Sequence, residues 1–128
     1  FTVKNVVPDM IKRKKGIIIN ISSMWGITGS SYETLYSSTK GAVNAFTKSL
    51  AKELGPSNIR VNAVAPGVIN TEMNKNLSKE DVADLIYNTP LNRMGLSKDI
   101  ANVVDFLISD EASFITGEII NVNGGFLI

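Results

Sequence analysis

The chain has 128 residues and a formal net charge of +1, and it contains neither cysteine nor histidine. This length fits one domain, and the small net charge produces no long-range field that would select nucleic acid or an anionic membrane. The two missing residue types exclude disulfides, thiolate catalysis, zinc–thiolate or imidazole metal sites and Ser-His-Asp triads, so any acid–base catalyst must be a carboxylate, a lysine or a tyrosine.

The first predicted element is a helix, because apolar residues recur at helical spacing, at Val3, Val6, Val7, Met10 and Ile11. Residues 12–15 are all basic and Gly16 follows them, which is typical of a helix end. The basic run could instead form a nucleic-acid patch, but it is short and has no interleaved aromatic residues. We interpret it as a solvated helix end.

The middle of the chain predicts a strand, a helix and a second strand. Residues 17–21 form a short β-branched run that is typical of a strand buried on both faces of a parallel sheet. A helix is predicted from about residue 36 to residue 54, with an apolar stripe of Val43, Phe46, Leu50 and Leu54. After Gly55 and Pro56, residues 59–65 predict the second strand, which Pro66-Gly67 ends.

The last third predicts two helices and a final strand. A polar stretch over residues 70–96 contains a predicted short helix over residues 78–87, and Ser97 is expected to cap a further helix. The apolar positions of that further helix are Ile100, Val103, Val104 and Leu107. Residues 118–122 predict a last strand. Strands that alternate with helices indicate a parallel α/β sheet, whose ligands bind beyond the carboxyl ends of the strands.

A phenol and an ammonium lie one helical turn apart. Tyr36 and Lys40 are an i, i+4 pair on one helix face, about 6 Å apart along the axis. A cation at about 4–6 Å favours the ionised form of a phenol, which makes the pair a candidate acid–base device. By itself, the pair also fits an exposed tyrosine that packs on a lysine stem.

Four sequence blocks follow one another along the chain. They are INISSMWG at residues 19–26, YSSTKGA at 36–42, NAVAPGVINT at 62–71, and ITGE with NVNGG at 115–118 and 121–125. Together they resemble the short-chain dehydrogenase/reductase family, closest to its 3-oxoacyl-[acyl-carrier-protein] reductases and their sugar-dehydrogenase relatives. The resemblance covers essentially all 128 residues. It implies one partial domain, residues 1–128: the C-terminal half of a Rossmann-like, doubly wound parallel sheet, with three strands and flanking helices and without the first β-α-β half.

The resemblance also implies site residues. Tyr36 would be the general acid in reduction and the general base in oxidation, Lys40 would assist Tyr36 and hold the nicotinamide ribose hydroxyls, and Ser23 would orient the substrate oxygen. Ser23 stands thirteen residues before Tyr36, as in the family, so Ser22 is expected to have a capping or turn role. The loop after the second strand would line the nicotinamide end of the cofactor through Pro66, Gly67, Val68, Ile69 and Thr71. We expect these residues to converge on one cleft.

Parts of the family pattern are missing from the chain. Its ten glycines form no G-x-G-x-x-G turn, which the family places upstream of Phe1 together with the residue that selects NAD or NADP and the catalytic asparagine. The implied cofactor is NADP or NAD, with NADP favoured. Because the chain starts at Phe1 without a signal peptide or a membrane-length apolar run, we expect a truncated, processed or partial chain of a cytoplasmic protein.

The predicted function is NAD(P)-dependent interconversion of a carbonyl and a secondary alcohol. The preferred substrate is a 3-oxoacyl thioester, as in fatty acid biosynthesis, and the alternative is a small-molecule sugar, polyol or steroid. A rival interpretation is a non-catalytic fragment that serves as a binding or assembly module. No metal is expected, since Glu80, Asp81 and Asp84 are interpreted as a solvated helix face. No nucleic acid or membrane is expected as a partner either, because the net charge is small and no apolar run has the length of a membrane span.

The resemblance further implies a homo-oligomer, a tetramer in the complete enzyme. Small residues of the helix over residues 36–54 are candidates for the subunit contact: Gly41, Ala42, Ala45 and Ser49. The strand over residues 17–21 is expected to present an edge that another chain or further residues must cover, because an open edge is a template for pairing.

Overall fold

A computed structural model describes residues 2–128, which form an α/β unit around a three-stranded parallel sheet. The bounds of its helices and strands are α1 Thr2–Arg13, β1 Gly16–Ile21, α2 Trp25–Thr28, α3 Thr34–Leu54, β2 Ile59–Pro66, α4 Lys79–Tyr87, α5 Ser97–Ile108 and β3 Ile119–Val122. Short 3-10 turns lie at Gly55–Ser57, Glu72–Asn74 and Asp110–Ala112. The order of the predicted elements is therefore confirmed.

The strand order in the sheet is β1-β2-β3, and both pairs are parallel. Ile21 lies opposite Val64 in the first pair, and Pro66 lies opposite Val122 in the second. The predicted α/β fold class with three parallel strands is thus confirmed. Because the strands run in the same direction, the carboxyl ends of β1 and β2 lie side by side at one end of the sheet. Ser23 follows the end of β1, and the predicted loop residues follow the end of β2.

The central strand β2 carries the core. Its residues from Val61 to Ala65 are fully buried, and α3 and α5 both contact it. The buried side chain of Asn62 donates to the carbonyl of Ile115 at 2.9 Å and accepts the N–H of Glu118 at 3.0 Å. Because a buried polar group must be hydrogen-bonded, Asn62 fixes the segment that leads into β3.

The buried stripe of α3 differs from the predicted one. Phe46 is 46% exposed, and the buried residues are Thr47, Leu50, Ala51 and Leu54. The hydroxyl of Thr47 donates to the carbonyl of Val43 at 2.8 Å and accepts from the side-chain amide of Asn20 at 2.9 Å. A polar residue can take the inward position because both of its hydrogen-bonding needs are met there. The prediction for Phe46 was therefore wrong.

Strand β1 is half-buried rather than buried on both faces, and Ile21 is 50% exposed. Within residues 2–128, β1 pairs only with β2. Its other edge has no strand partner among these residues, and cover of this edge by another chain or by further residues stays a prediction. Such an edge offers a row of backbone donors and acceptors to another strand.

Helix α5 begins at Ser97, but Ser97 is not its cap. Leu96 occupies the N-cap position, and the carboxylate of Asp99 accepts the Leu96 N–H at 2.7 Å. A carboxylate in the first turn can satisfy an N–H group at a helix start and is favoured by the helix dipole, so Asp99 takes the role predicted for Ser97. Helix α4 also starts one residue later than predicted, with Ser78 as its N-cap.

The charged segments behave as predicted. Residues 12–15 are exposed, and Arg13 forms an i, i+4 ion pair with Asp9 at 3.5 Å. Glu80 and Asp84 are exposed on α4, while the side chain of Asp81 completes the helix cap.

In the described part of the chain, no group of acidic residues could hold a metal ion. Across residues 2–128, no helix combines the length and the apolar character that a membrane crossing needs.

Candidate active site

A two-lobed cleft opens at the carboxyl ends of β1 and β2. The lysine lobe has a volume of about 360 Å³ and contains Lys40, and the tryptophan lobe has a volume of about 450 Å³ and contains Trp25. Residues common to both lobes are Ser23, Tyr36, Gly67, Met73 and Asn74. Of the eight predicted site residues, Val68 lines the tryptophan lobe, and the lysine lobe holds Ser23, Tyr36, Lys40, Pro66, Gly67, Ile69 and Thr71.

Tyr36 and Lys40 share one face of α3, as their spacing predicted. The Nζ atom of Lys40 lies 5.7 Å from the centroid of the Tyr36 ring and donates to the carbonyl of Ile21 at 3.0 Å. This hydrogen bond ties the ammonium to the end of β1. Since an ammonium has three donors, two remain for other partners in the lysine lobe.

Ser22 and Ser23 are both buried but use their hydroxyls in different ways. The hydroxyl of Ser22 donates to the carbonyl of Lys40 at 3.2 Å. The Oγ atom of Ser23 accepts the N–H of Trp25 at 3.2 Å. The hydroxyl proton of Ser22 is therefore used in a hydrogen bond to α3, whereas the hydroxyl proton of Ser23 is available to an acceptor in the cleft.

The second wall of the cleft is the loop after β2. The N–H of Gly67 donates to the carbonyl of Val122 at 2.9 Å. A Cβ atom on Gly67 would lie 2.7 Å from the Cα of Asn123, so glycine is required where the loop passes over the end of β3. Farther along, the side-chain amide of Asn74 donates to the carbonyl of Ile69 at 2.7 Å.

The tryptophan lobe also holds residues that were not predicted to belong to the site. Besides Met73 and Asn74, they are Met24, Trp25, Glu33, Leu77 and Leu85. Trp25 packs edge-to-face on Phe126, with ring centroids 5.6 Å apart. No sequence pattern distinguishes residues that line a cleft from residues of the core or the surface. The lobe therefore combines apolar side chains with polar ones, including one carboxylate at Glu33.

The short helix α2 packs tightly on α3 beside the site. A Cβ atom on Gly26 would lie 2.7 Å from the carbonyl carbon of Lys40 and 2.8 Å from its Cβ. The side-chain amide of Asn44 donates to the carbonyl of Gly26 at 2.9 Å. The position of the Lys40 backbone therefore depends on a glycine in α2.

One strong ion pair lies behind the loop wall. Arg93 donates two hydrogen bonds to the carboxylate of Asp99, at 2.7 Å and 3.1 Å. These hydrogen bonds, with a smaller contribution from the Leu96 N–H, lower the pKa of Asp99 to about 2. The same partner raises the pKa of Arg93. The pair therefore remains charged through the neutral pH range.

Comparison with known proteins shows the family. A family model described as enoyl-(acyl carrier protein) reductase matches residues 1–127. The uncharacterized oxidoreductase YmfI of Bacillus subtilis is 50% identical over 126 residues, covering 96% of this chain and 51% of that protein. The 3-oxoacyl-[acyl-carrier-protein] reductase FabG of Aquifex aeolicus is 52% identical over 122 residues, covering 95% of this chain and 49% of that protein.

Solved structures agree with this grouping. A 3-oxoacyl-[acyl-carrier protein] reductase from Brucella melitensis superposes with a TM-score of 0.92 at 40% identity, covering 99% of this chain and 48% of that chain. A Brucella melitensis reductase of the same name with bound NAD gives a TM-score of 0.89 at 40% identity, with coverages of 99% and 47%. A Brucella melitensis protein named short-chain dehydrogenase/reductase SDR, glucose/ribitol dehydrogenase, gives 0.83 at 41% identity, with coverages of 88% and 45%.

The chain thus spans about half the length of the relatives that it matches. The match extends over nearly all of this chain, in sequence and in three dimensions. The chain belongs to the short-chain dehydrogenase/reductase family.

Proposed function

We propose that the protein containing this chain is an NAD(P)-dependent reductase of 3-oxoacyl thioesters, which it converts to 3-hydroxyacyl thioesters. The observation that carries this proposal is the presence of Ser23, Tyr36 and Lys40 in one lobe of one cleft. Two hydroxyls and an ammonium are the groups needed to polarise a carbonyl oxygen and protonate it. The names of the FabG relatives support the thioester substrate.

The lysine lobe suits the nicotinamide end of a dinucleotide. The two remaining donors of Lys40 fit ribose hydroxyls, and the backbone N–H of Ile69, which has no acceptor within residues 2–128, fits a carboxamide oxygen. The bound nicotinamide would supply the hydride that goes to the carbonyl carbon of the substrate. The chain contains no glycine-rich turn for the cofactor's phosphates, so we assign that contact to a part of the protein outside this chain.

Tyr36 and Ser23 would act on the substrate oxygen. As this oxygen gains negative charge, the phenol of Tyr36 transfers its proton to it, and the free proton of Ser23 hydrogen-bonds to it. The ammonium of Lys40 stabilises the phenolate that remains. In the oxidation direction the same groups work in reverse, and Tyr36 accepts the proton of the alcohol.

The acyl group would occupy the tryptophan lobe. Trp25, Met73, Leu77 and Leu85 give this lobe apolar side chains that an acyl chain can contact. We propose acyl carrier protein as the partner that delivers the thioester, in the cytoplasm. We rank a sugar or polyol below the acyl thioester as the substrate, because the FabG relatives are named 3-oxoacyl-[acyl-carrier-protein] reductases.

Enoyl thioester reduction is the second candidate, because the matching family model is described as an enoyl reductase. That reaction delivers hydride and proton to two carbon atoms rather than to the carbon and oxygen of a ketone. Two hydroxyls, Ser23 and Tyr36, in a single lobe serve an oxygen better than a carbon, so we rank ketone reduction first.

The test is a substrate panel with the full-length protein. Oxidation of NADPH and of NADH is followed with a 3-oxoacyl thioester, a 2-enoyl thioester and a ketose. We expect turnover with the 3-oxoacyl thioester, faster with NADPH. Turnover with the enoyl thioester alone would replace the proposed reaction, and cofactor binding without any turnover would favour the binding-module interpretation. Residues 1–128 alone are expected to show no useful turnover.

A further inference from the structure

The loop that forms the second cleft wall is held from behind by one residue. The N–H of Gly95 donates to the carbonyl of Val68 at 2.9 Å, and the N–H of Asn70 donates to the carbonyl of Gly95 at 2.9 Å. These two bonds form an isolated parallel bridge outside the sheet, centred on Ile69 and Gly95. The depth of Ile69 in the cleft therefore depends on where Gly95 lies.

The position of Gly95 is set on both sides by the Arg93–Asp99 pair. Arg93 donates to the carbonyl of Met94 at 3.0 Å as well as to both oxygens of Asp99. Asp99 in turn accepts the N–H of Leu96 at 2.7 Å. The residue before Gly95 and the residue after it are thus tied to one ion pair.

A cavity adjoins Ile69 on the side of Gly95 and the ion pair. A rear cavity of about 230 Å³ lies there, lined by Ile69, Gly95, Arg93 and Asp99 among others. A Cβ atom on Gly95 would lie 2.4 Å from the Cδ1 of Ile69, so the two residues are in direct contact. If Gly95 moved, the cavity would give Ile69 room to withdraw from the cleft.

We propose that Arg93 and Asp99 are positioning residues, which hold the cleft wall at Ile69 and Thr71 in place through the Gly95 bridge. The proposal rests on the proposed function, because Ile69 and Thr71 matter only if a nicotinamide lies against them. Neither charged residue touches the lysine lobe. Their effect on the reaction would be indirect and would reach it through the loop.

If the Arg93–Asp99 pair instead stabilised the whole fold, its loss would lower the thermal midpoint. The side chains of Arg93 and Asp99 are 49% and 32% exposed, and exposed ion pairs contribute little to folding. Loss of the pair should therefore loosen the loop and leave the fold intact. The amide protons of Asn70 and Gly95 report on the bridge directly, because both are donors in it.

The experiment compares Arg93→Met, Asp99→Asn and the double variant with the parent full-length protein. Asparagine can still accept the Leu96 N–H, so the helix cap is retained. We expect several-fold faster exchange of the Asn70 and Gly95 amides and a cofactor dissociation constant raised on the order of 10-fold, since small displacements in a site are costly. The thermal midpoint should stay close to that of the parent. The double variant should bind the cofactor about as tightly as the more impaired single variant, because the two residues act as a unit.

Two further variants sharpen the test. Arg93→Lys keeps the charge but not the two-pronged geometry, and it should give an intermediate effect. Asp9→Asn removes the exposed ion pair of α1 and should change none of these readouts. Unchanged amide exchange and unchanged cofactor affinity in Arg93→Met would overturn the proposal. So would a loss of cofactor affinity that is accompanied by a lower thermal midpoint, because general destabilisation would then explain it. If the parent binds no nicotinamide cofactor, the proposed function fails, and the amide exchange still decides the role of the pair.

Discussion

At the residue scale, the two neighbouring serines show how the fold divides similar side chains between structure and chemistry. Ser22 is turned toward α3, where its proton is bound by the carbonyl of Lys40. Ser23 accepts a backbone N–H of α2 and keeps its proton. The family's spacing from Tyr36 predicted Ser23 as the serine that contacts the substrate, and the unused proton of Ser23 supports that prediction.

We predict opposite outcomes for the two alanine variants. Ser23→Ala should lower kcat roughly 10²- to 10³-fold, the usual cost of one lost donor to a developing oxyanion, with little change in stability. Ser22→Ala should lower the free energy of unfolding by about 0.5–1.5 kcal/mol, the net value of one hydrogen bond, with a smaller effect on kcat. Kinetics and denaturant unfolding of the full-length variants measure both. Equal kinetic losses in the two variants would contradict the assignment.

At the element scale, the site depends on the contact between α2 and α3. Helix α2 has only four residues and carries Gly26 against the backbone of Lys40. A helix this short is not stable alone, so its position is set by packing on α3 and by the Asn44 hydrogen bond.

Gly26→Ala is expected to disturb this contact. The added methyl would meet the Lys40 backbone, which cannot rotate away as a side chain could, and overpacking of this kind costs about 1–3 kcal/mol. Activity should fall as well, because Lys40 must shift. The matched control is Gly41→Ala on the facing helix: Gly41 lies inside α3, and a Cβ there would be in ordinary contact, 3.6 Å from the carbonyl oxygen of Gly26, so the change should be neutral or slightly stabilising. Thermal unfolding of both variants decides, and similar midpoints would refute the packing argument.

The elements themselves were largely predictable from sequence, and the exceptions have physical causes. The predicted strands and the longer helices are present because their apolar periodicity is strong. Phe46 was misplaced because Thr47 satisfies its hydroxyl inside the protein, which periodicity does not register. Ser97 was misread because Asp99 satisfies the helix start. Helix α2 is too short to leave a periodic signal.

The same limit applies to the candidate site. The Ser23, Tyr36 and Lys40 set followed from a resemblance, and the structure places these residues in one lobe. Met73 and Asn74 come from a polar stretch whose path no sequence pattern specifies, yet they line both lobes. The Arg93–Asp99 pair was also not predicted, because its role depends on a bridge between two loops.

At the scale of the whole molecule, two surfaces of this chain need cover. One is the open edge of β1. The other is the outer face of α3, where Phe46 is exposed together with Ala42, Ala45 and Ser49. Small residues around an exposed aromatic side chain allow close approach of a second helix, so we expect α3 to pack on its copy in another subunit.

We predict that the full-length protein is a homo-oligomer and that Phe46→Glu dissociates it, because a carboxylate would be buried without a partner. Sedimentation velocity measures the change in mass. Lys12→Glu, a charge change on the exposed end of α1, is the control and should leave the mass unchanged. A monomeric parent protein would show that α3 has no such contact.

Tyr36→Phe in the full-length protein tests whether Tyr36 transfers the proton to the substrate oxygen. The phenylalanine ring keeps the packing and removes only the hydroxyl. We predict a loss of kcat of roughly 10²- to 10⁴-fold, the usual contribution of a general acid, with the cofactor dissociation constant nearly unchanged. Tyr87→Phe, at a tyrosine that is 85% exposed on α4, should retain parental kcat. A Tyr36→Phe enzyme with near-parental turnover of the 3-oxoacyl thioester would show that Tyr36 is not the proton donor.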